Sequence, residues 1–142
     1  KTTQFLQVLC SILQQCFQDF IMKKKVLLVE DYEDTRSFMK WLLESYGCQV
    51  VEAADGIEAV DQYKQQHPDL ILMDISLPMV DGLTTTRTIR EFEDAGKVPI
   101  IAVTAFSGLY YKQAIEAGCD DLIGKPVDFE LLAPVINQYL NH

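Results

Sequence analysis

Five polar side chains stand directly after short aliphatic runs, and their types fit one chemistry. Glu30 and Asp31 follow the run 26–29, Asp74 follows 70–73, Thr104 follows 99–103, and Lys125 follows a weaker run at 121–124. If these runs are strands of one sheet, three carboxylates, a hydroxyl and an ammonium converge at one edge of it. Crowded carboxylates repel one another unless a cation sits between them. An all-oxygen site with few protein ligands suits Mg²⁺, which keeps several of its waters. A lysine and a threonine hydroxyl opposite the metal supply a compensating cation and a hydrogen-bond donor for the equatorial oxygens of a phosphoryl group. The set reads as aspartyl phosphorylation, with Asp74 as the nucleophile. Any one of these residues alone reads as a helix cap or a solvated turn. The constellation carries the chemistry.

The elements that must position them can be read from periodicity. Besides the four runs above, a run at 49–52 completes a set of five predicted strands, and helical stretches alternate with them. That alternation argues a parallel sheet covered on both faces. The first such helix takes Asp34 as its N-cap, buries Phe38, Met39, Leu42, Leu43 and Tyr46, and stops at Gly47. The second starts at Asp55 with Glu58 three residues on, a capping-box pattern, and ends before His67 and Pro68. A third spans 82–94 and a fourth 107–117, with Gly96 and Gly118 as stops. A fifth begins after Asp128, with a kink or a late start at Pro134. Five units of this size predict a flavodoxin-like doubly wound α/β fold with strand order 2-1-3-4-5, since a barrel needs about 250 residues. In such sheets, function gathers at the carboxyl ends of the strands.

Residues 1–22 form a separate N-terminal extension ahead of a domain at 23–142. Phe5, Leu6, Val8, Leu9, Ile12, Leu13, Cys16, Phe17 and Phe20 recur at helical spacing, with glutamines and Ser11 between them. The pattern is an amphipathic helix rather than a signal peptide, because glutamines interrupt the apolar stretch. Two readings stay open: a helix that docks on a partner or forms a homodimer, and a leader before a natural start at Met22.

The 142 residues carry a formal charge of -9 and are 49% hydrophobic, enough for one domain with a proper core. The acidic surface disfavours direct nucleic-acid binding and anionic membranes. Cys10, Cys16, Cys48 and Cys119 form no CxxC pair, so they are expected as buried or half-buried thiols in a reducing cytosol. No apolar run is long enough to span a bilayer.

From about 25 to 140 the chain resembles the response-regulator receiver family of two-component signalling. The resemblance rests on "VLLVED" ending in Glu30 and Asp31, "DLILMDISLPMVDG" around Asp74, "IIAVTA" ending in Thr104 and Ala105, and "GCDDLIGKPV" carrying Lys125 and Pro126. It implies a single-domain cytoplasmic response regulator that is not an enzyme acting on external substrates. Asp74 would take a phosphoryl group from a histidine kinase or a histidine phosphotransfer protein. Glu30, Asp31, Asp74 and the backbone carbonyl of Ser76 would hold Mg²⁺, while Thr104 and Lys125 bind the phosphoryl oxygens. The Lys125–Pro126 peptide would be cis. With no output domain after the fifth helix, the signal would pass to a downstream protein target.

Two departures from the family pattern matter. Glu30 occupies a position where aspartate is usual. Leu122 stands where many receivers carry an aromatic residue three positions before the lysine, so output is expected to run through the loop after Thr104 and the fourth helix, around Phe106, Tyr110 or Tyr111. One of the two adjacent tyrosines should be exposed. Asp81 and Gly82 read as a turn and helix start, the threonines 84–86 as surface or packing residues, Trp41 and Tyr46 as core, and His67 and His142 as outside the chemistry. A haloacid-dehalogenase-type phosphatase would need a second aspartate where Ser76 stands. A flavodoxin-like FMN carrier would meet Glu30, Asp31, Glu33 and Asp34 at its phosphate. A degenerate receiver that only binds partners is the remaining alternative.

Overall fold

Strands form where β-branched and aliphatic residues run unbroken: β1 (Lys25–Val29), β2 (Gln49–Ala53), β3 (Leu70–Asp74), β4 (Ile100–Thr104) and β5 (Asp121–Gly124). The computed structural model describes residues 1–21, 23–92 and 95–140. All four strand pairings are parallel, and the order is β2-β1-β3-β4-β5, as predicted. Six helices surround or precede the sheet among the described residues: α1 (Thr2–Ile21), α2 (Glu33–Ser45), α3 (Gly56–Gln66), α4 (Gly82–Arg90), α5 (Ser107–Ala117) and α6 (Phe129–Leu140). The extra one beyond the doubly wound set is α1.

Side chains alternate across the sheet with the strand period of two. Leu27, Val29, Ile71 and Met73 face a core shared with Ala59 and Tyr63 of α3, Ile89 of α4 and Ala114 of α5. Val26, Leu28, Leu70 and Leu72 face the opposite core, against Met39, Leu42 and Leu43 of α2 and Leu132, Ile136 and Leu140 of α6. Burial on both faces is why the central strands read as continuous apolar runs, and each fully buried Leu or Ile contributes about 1.5–3 kcal/mol.

Several local expectations need correction. Asp34 lies inside α2, whose N-cap is Tyr32 with no side-chain cap bond. Phe38, Trp41 and Tyr46 are exposed; the buried stripe of α2 is only Met39, Leu42 and Leu43, because α2 meets the sheet along one narrow seam. Phe38 and Trp41 instead stack on each other outside, with ring centroids 6.4 Å apart. Helix α4 ends at Arg90, and Gly96 belongs to a short 3-10 turn, Ala95–Lys97, instead of stopping it. Helix α6 runs through Pro134 without a late start. Cys10 and Cys16 are exposed, whereas Cys48 and Cys119 are buried. Met22, Asp94 and His142 lie outside the described residues. Asp55 does cap α3, accepting the Glu58 amide at 2.8 Å, while the Glu58 carboxylate takes the Ala54 amide at 3.0 Å.

Candidate functional site

The carboxyl ends of β1, β3, β4 and β5 carry the residues singled out by type. Glu30 leaves β1 and its amide donates to the Ala53 carbonyl at 3.0 Å, which extends the β1–β2 ladder by one bond. Asp74 is the last residue of β3 and Thr104 of β4. The Lys125 amide donates to the Thr104 carbonyl at 2.8 Å, so the residue after β5 is pinned beside β4. By strand alternation Glu30 continues Val26 and Leu28, and Asp74 continues Leu70 and Leu72, which aims both toward α2 and α6. A small cavity of about 20 Å³, lined in part by Glu30, Thr35, Met39, Asp74 and Lys125, lies on that side.

Glu30, Asp74 and Thr104 are buried, at 4%, 3% and 1% exposure, so their polar atoms need partners within the protein. Lys125 supplies the charge. Its Nζ donates to Glu30 Oε1 at 3.0 Å and to Asp74 Oδ2 at 3.1 Å. The Ser76 amide donates to Asp74 Oδ1 at 2.9 Å, and the Phe106 amide donates to Thr104 Oγ1 at 3.2 Å. Among the described residues, Glu30 Oε2 is buried with no hydrogen-bond partner. Burial first, then the hydrogen bond and charge of Asp74, push the Glu30 carboxyl up to about 7, and Lys125 only partly opposes them. The ammonium of Lys125 loses some stability to burial, but its bond to Glu30 and the charge of Asp74 outweigh that and raise its pKa.

Carboxylate oxygens of Glu30, Asp31 and Asp74 lie within 4.8 Å of one another, with Asp31 exposed to solvent. Three hard oxygen donors, one of them unpartnered and buried beside a solvent-facing one, fit a divalent cation that keeps part of its water shell. Of the residues named from sequence, Glu30, Asp31, Asp74 and Lys125 are brought together directly. Thr104 stands one strand away with its hydroxyl facing the loop amide, and Ser76 meets Asp74 through its amide.

Two supporting residues escaped the sequence reading. Arg36 of α2 donates from Nη1 to the Glu30 carbonyl at 2.9 Å and from Nε to Glu52 Oε1 at 3.3 Å. Its position on the first turns of the helix after an acidic strand end was the available signal. Gly82, read as a helix start only, also packs on the site: a β-carbon there would run into the Asp74 carbonyl. The Lys125–Pro126 peptide is cis, as the resemblance implied.

A five-stranded doubly wound sheet with an acidic cluster, a lysine and a threonine at its carboxyl edge is the architecture of a signalling receiver domain. The chain belongs to the response-regulator receiver family, whose model, "Response regulator receiver domain", matches residues 26–137. The polar-differentiation response regulator DivK of Brucella ovis is 38% identical over 120 residues, which cover 84% of this chain and 98% of that protein. Among solved structures, the receiver domain of a sensor histidine kinase from Pseudomonas aeruginosa, with magnesium coordinated in its active-site cleft, is 36% identical. The match has a TM-score of 0.79 and covers 84% of this chain and 99% of that one. A Saccharomyces cerevisiae co-crystal of the histidine phosphotransfer protein Ypd1 and the receiver domain of Ssk1 matches at 30% identity and TM-score 0.78, covering 84% of this chain and 90% of that one. Among the described residues no helix is long and apolar enough to cross a membrane.

Proposed function

We propose that Asp74 accepts a phosphoryl group from a phosphohistidine of a histidine kinase or a histidine phosphotransfer protein, and that the modified domain binds a downstream protein target in the cytoplasm. A carboxylate oxygen of Asp74 bonds to phosphorus as the phosphorus–nitrogen bond to histidine breaks, and the imidazole leaves as the neutral ring after protonation. Lys125, within 3.1 Å of the acceptor, moves its ammonium from carboxylate to phosphoryl oxygen. The Ser76 amide holds the other Asp74 oxygen, which leaves one oxygen oriented for attack. The hydroxyl of Thr104 supplies a donor to the phosphoryl oxygens. Glu30, Asp31, Asp74 and the Ser76 carbonyl would hold Mg²⁺, which supplies neutralising charge for the transferring group.

The observation that carries this reading is the pairing of a buried Asp74 with Lys125 beside two further carboxylates. Mass spectrometry after incubation with a low-molecular-weight phosphodonor and Mg²⁺ tests it. The native chain gains the mass of one phosphoryl group and Asp74→Ala gains none. A native chain that stays unmodified under these conditions supports the alternative of a receiver that only binds partners.

A further inference from the structure

Among the described residues, the apolar face of α1 packs against nothing. Every described side chain from residue 1 to 17 is exposed, including Phe5, Leu6, Leu9, Ile12, Leu13 and Phe17. A helix whose described side chains bury no face is marginal in water, since most helical stability in proteins comes from packing an apolar stripe. The family match begins at residue 26, so α1 lies outside the part that defines the receiver.

The stripe itself specifies what covers it. Leu6, Leu9, Leu13 and Cys16 advance by three, four and three residues, the spacing of a seam between helices that pack knobs into holes. Phe5 and Ile12 flank the seam on one side, and Cys10 and Phe17 on the other. That widens it beyond a minimal two-residue repeat. The only acidic or basic residue from Thr2 to Ile21 is Asp19, so two copies of this helix can meet without opposing like charges. Two such stripes together offer on the order of 1,000 Å² of apolar surface, the lower bound of a specific interface. The opposite face is Gln4, Gln7, Ser11 and Gln14, which lacks the cationic residues of a helix built to lie on anionic lipid.

We propose that α1 is a self-association helix whose occupant is α1 of a second copy. Helix α1 enters the receiver at the start of β1, whereas Asp74 and its partners lie at the carboxyl ends of the strands. Pairing through α1 therefore leaves the phosphoacceptor edge open, and it does not depend on the chemistry of Asp74.

Sedimentation of the full chain over a wide dilution series tests this. The native chain is expected at a multiple of 16.1 kDa and to dissociate on dilution. Leu9→Glu combined with Leu13→Glu is expected to sediment as a monomer with the thermal unfolding of the receiver unchanged, and Asp74→Ala to associate as the native chain does. Because Cys10 and Cys16 are exposed while Cys48 and Cys119 are buried, a bismaleimide should join native chains through Cys10 or Cys16. A native chain that stays monomeric at every concentration overturns the proposal. So does an assembly that survives the double substitution, or a monomer that co-sediments with anionic vesicles through α1.

Discussion

The guanidinium of Arg36 donates to the backbone carbonyl of Glu30 at 2.9 Å while its Nε reaches Glu52. The bond ties the first turns of α2 to the end of β1, and so fixes where the Glu30 side chain begins. Arg36→Ala should cost about 1–2 kcal/mol, the range for a part-buried bond from a charged donor. It should also weaken Mg²⁺ binding severalfold through misplacement of Glu30. Urea unfolding and a magnesium titration read the two effects separately. A loss of stability with unchanged magnesium affinity would show that Arg36 braces the fold alone.

Lys125 holds two buried carboxylates at once. In Lys125→Met the alkyl stem is kept but Glu30 and Asp74 face each other without a cation. Removing one partner of a buried ion pair costs about 3–5 kcal/mol, and less here because Lys125 keeps some solvent contact. If Lys125 meets the phosphoryl oxygens as proposed, loss of its charge should slow modification of Asp74 by about a hundredfold, comparable to removing a donor from an oxyanion site. The rate of modification by a small phosphodonor is the measurement.

The sheet and the acidic cluster at its edge were legible in the sequence for different reasons. The strands were plain because both faces are buried, which makes Leu70 to Met73 and Ile100 to Val103 unbroken apolar runs. The acidic edge was plain because Glu30, Asp31 and Asp74 interrupt those runs at their ends. What could not be read was which side of α2 meets the core. Apolar residues cover more than one face of that helix, and Phe38 and Trp41 satisfy helical spacing as well as Met39 and Leu42 do. Arg36 was less legible: its place on the first turns of α2 was the one cue, and no residue type marks its bond to the Glu30 carbonyl.

Glu30 gives a pH dependence with a definite sign. Its carboxyl is raised from 4.5 to about 7 in the folded chain. Between those values the native state binds more proton than the unfolded state, so stability without divalent metal falls as pH rises through that window and levels off above it. The raised Lys125 pKa acts only at alkaline pH, where its contribution is lost as the ammonium deprotonates. Thermal melts in chelator should therefore show the native chain losing stability relative to Glu30→Gln as pH rises from acid to neutral. An equal slope in both proteins would assign the pH dependence to other groups.

Gly82 tests how tightly α4 is seated against the acceptor strand. Its amide donates to the Ile75 carbonyl at 2.9 Å, and a β-carbon would strike the Asp74 carbonyl. Gly82→Ala should destabilise the domain by about 1–3 kcal/mol, as overpacking does, despite the higher helix propensity of alanine. Gly96→Ala, where a β-carbon meets nothing within 4 Å, is the control and should change stability little. Paired denaturation curves decide it.

The link from Asp74 to the surface can be tested at Thr104. The Thr104 hydroxyl accepts the Phe106 amide at 3.2 Å, and the exposed Phe106 ring meets Tyr110 edge-on at 6.4 Å. Tyr110 packs against the core while Tyr111 is exposed, so the two tyrosines divide between inside and outside as expected. If the hydroxyl turns toward a phosphoryl group, it gives up the Phe106 amide, and the loop leading into α5 must find another arrangement. Leu122 packs against the same core but has neither a ring to reorient nor a hydroxyl to pair. Amide chemical shifts recorded with and without a phosphoryl mimic should therefore change between Ala105 and Gly118. In Thr104→Val, where the loop bond is already absent, the mimic should produce a much smaller change at Phe106. Shifts confined to the residues around Asp74 would mean that this hydroxyl does not carry the signal.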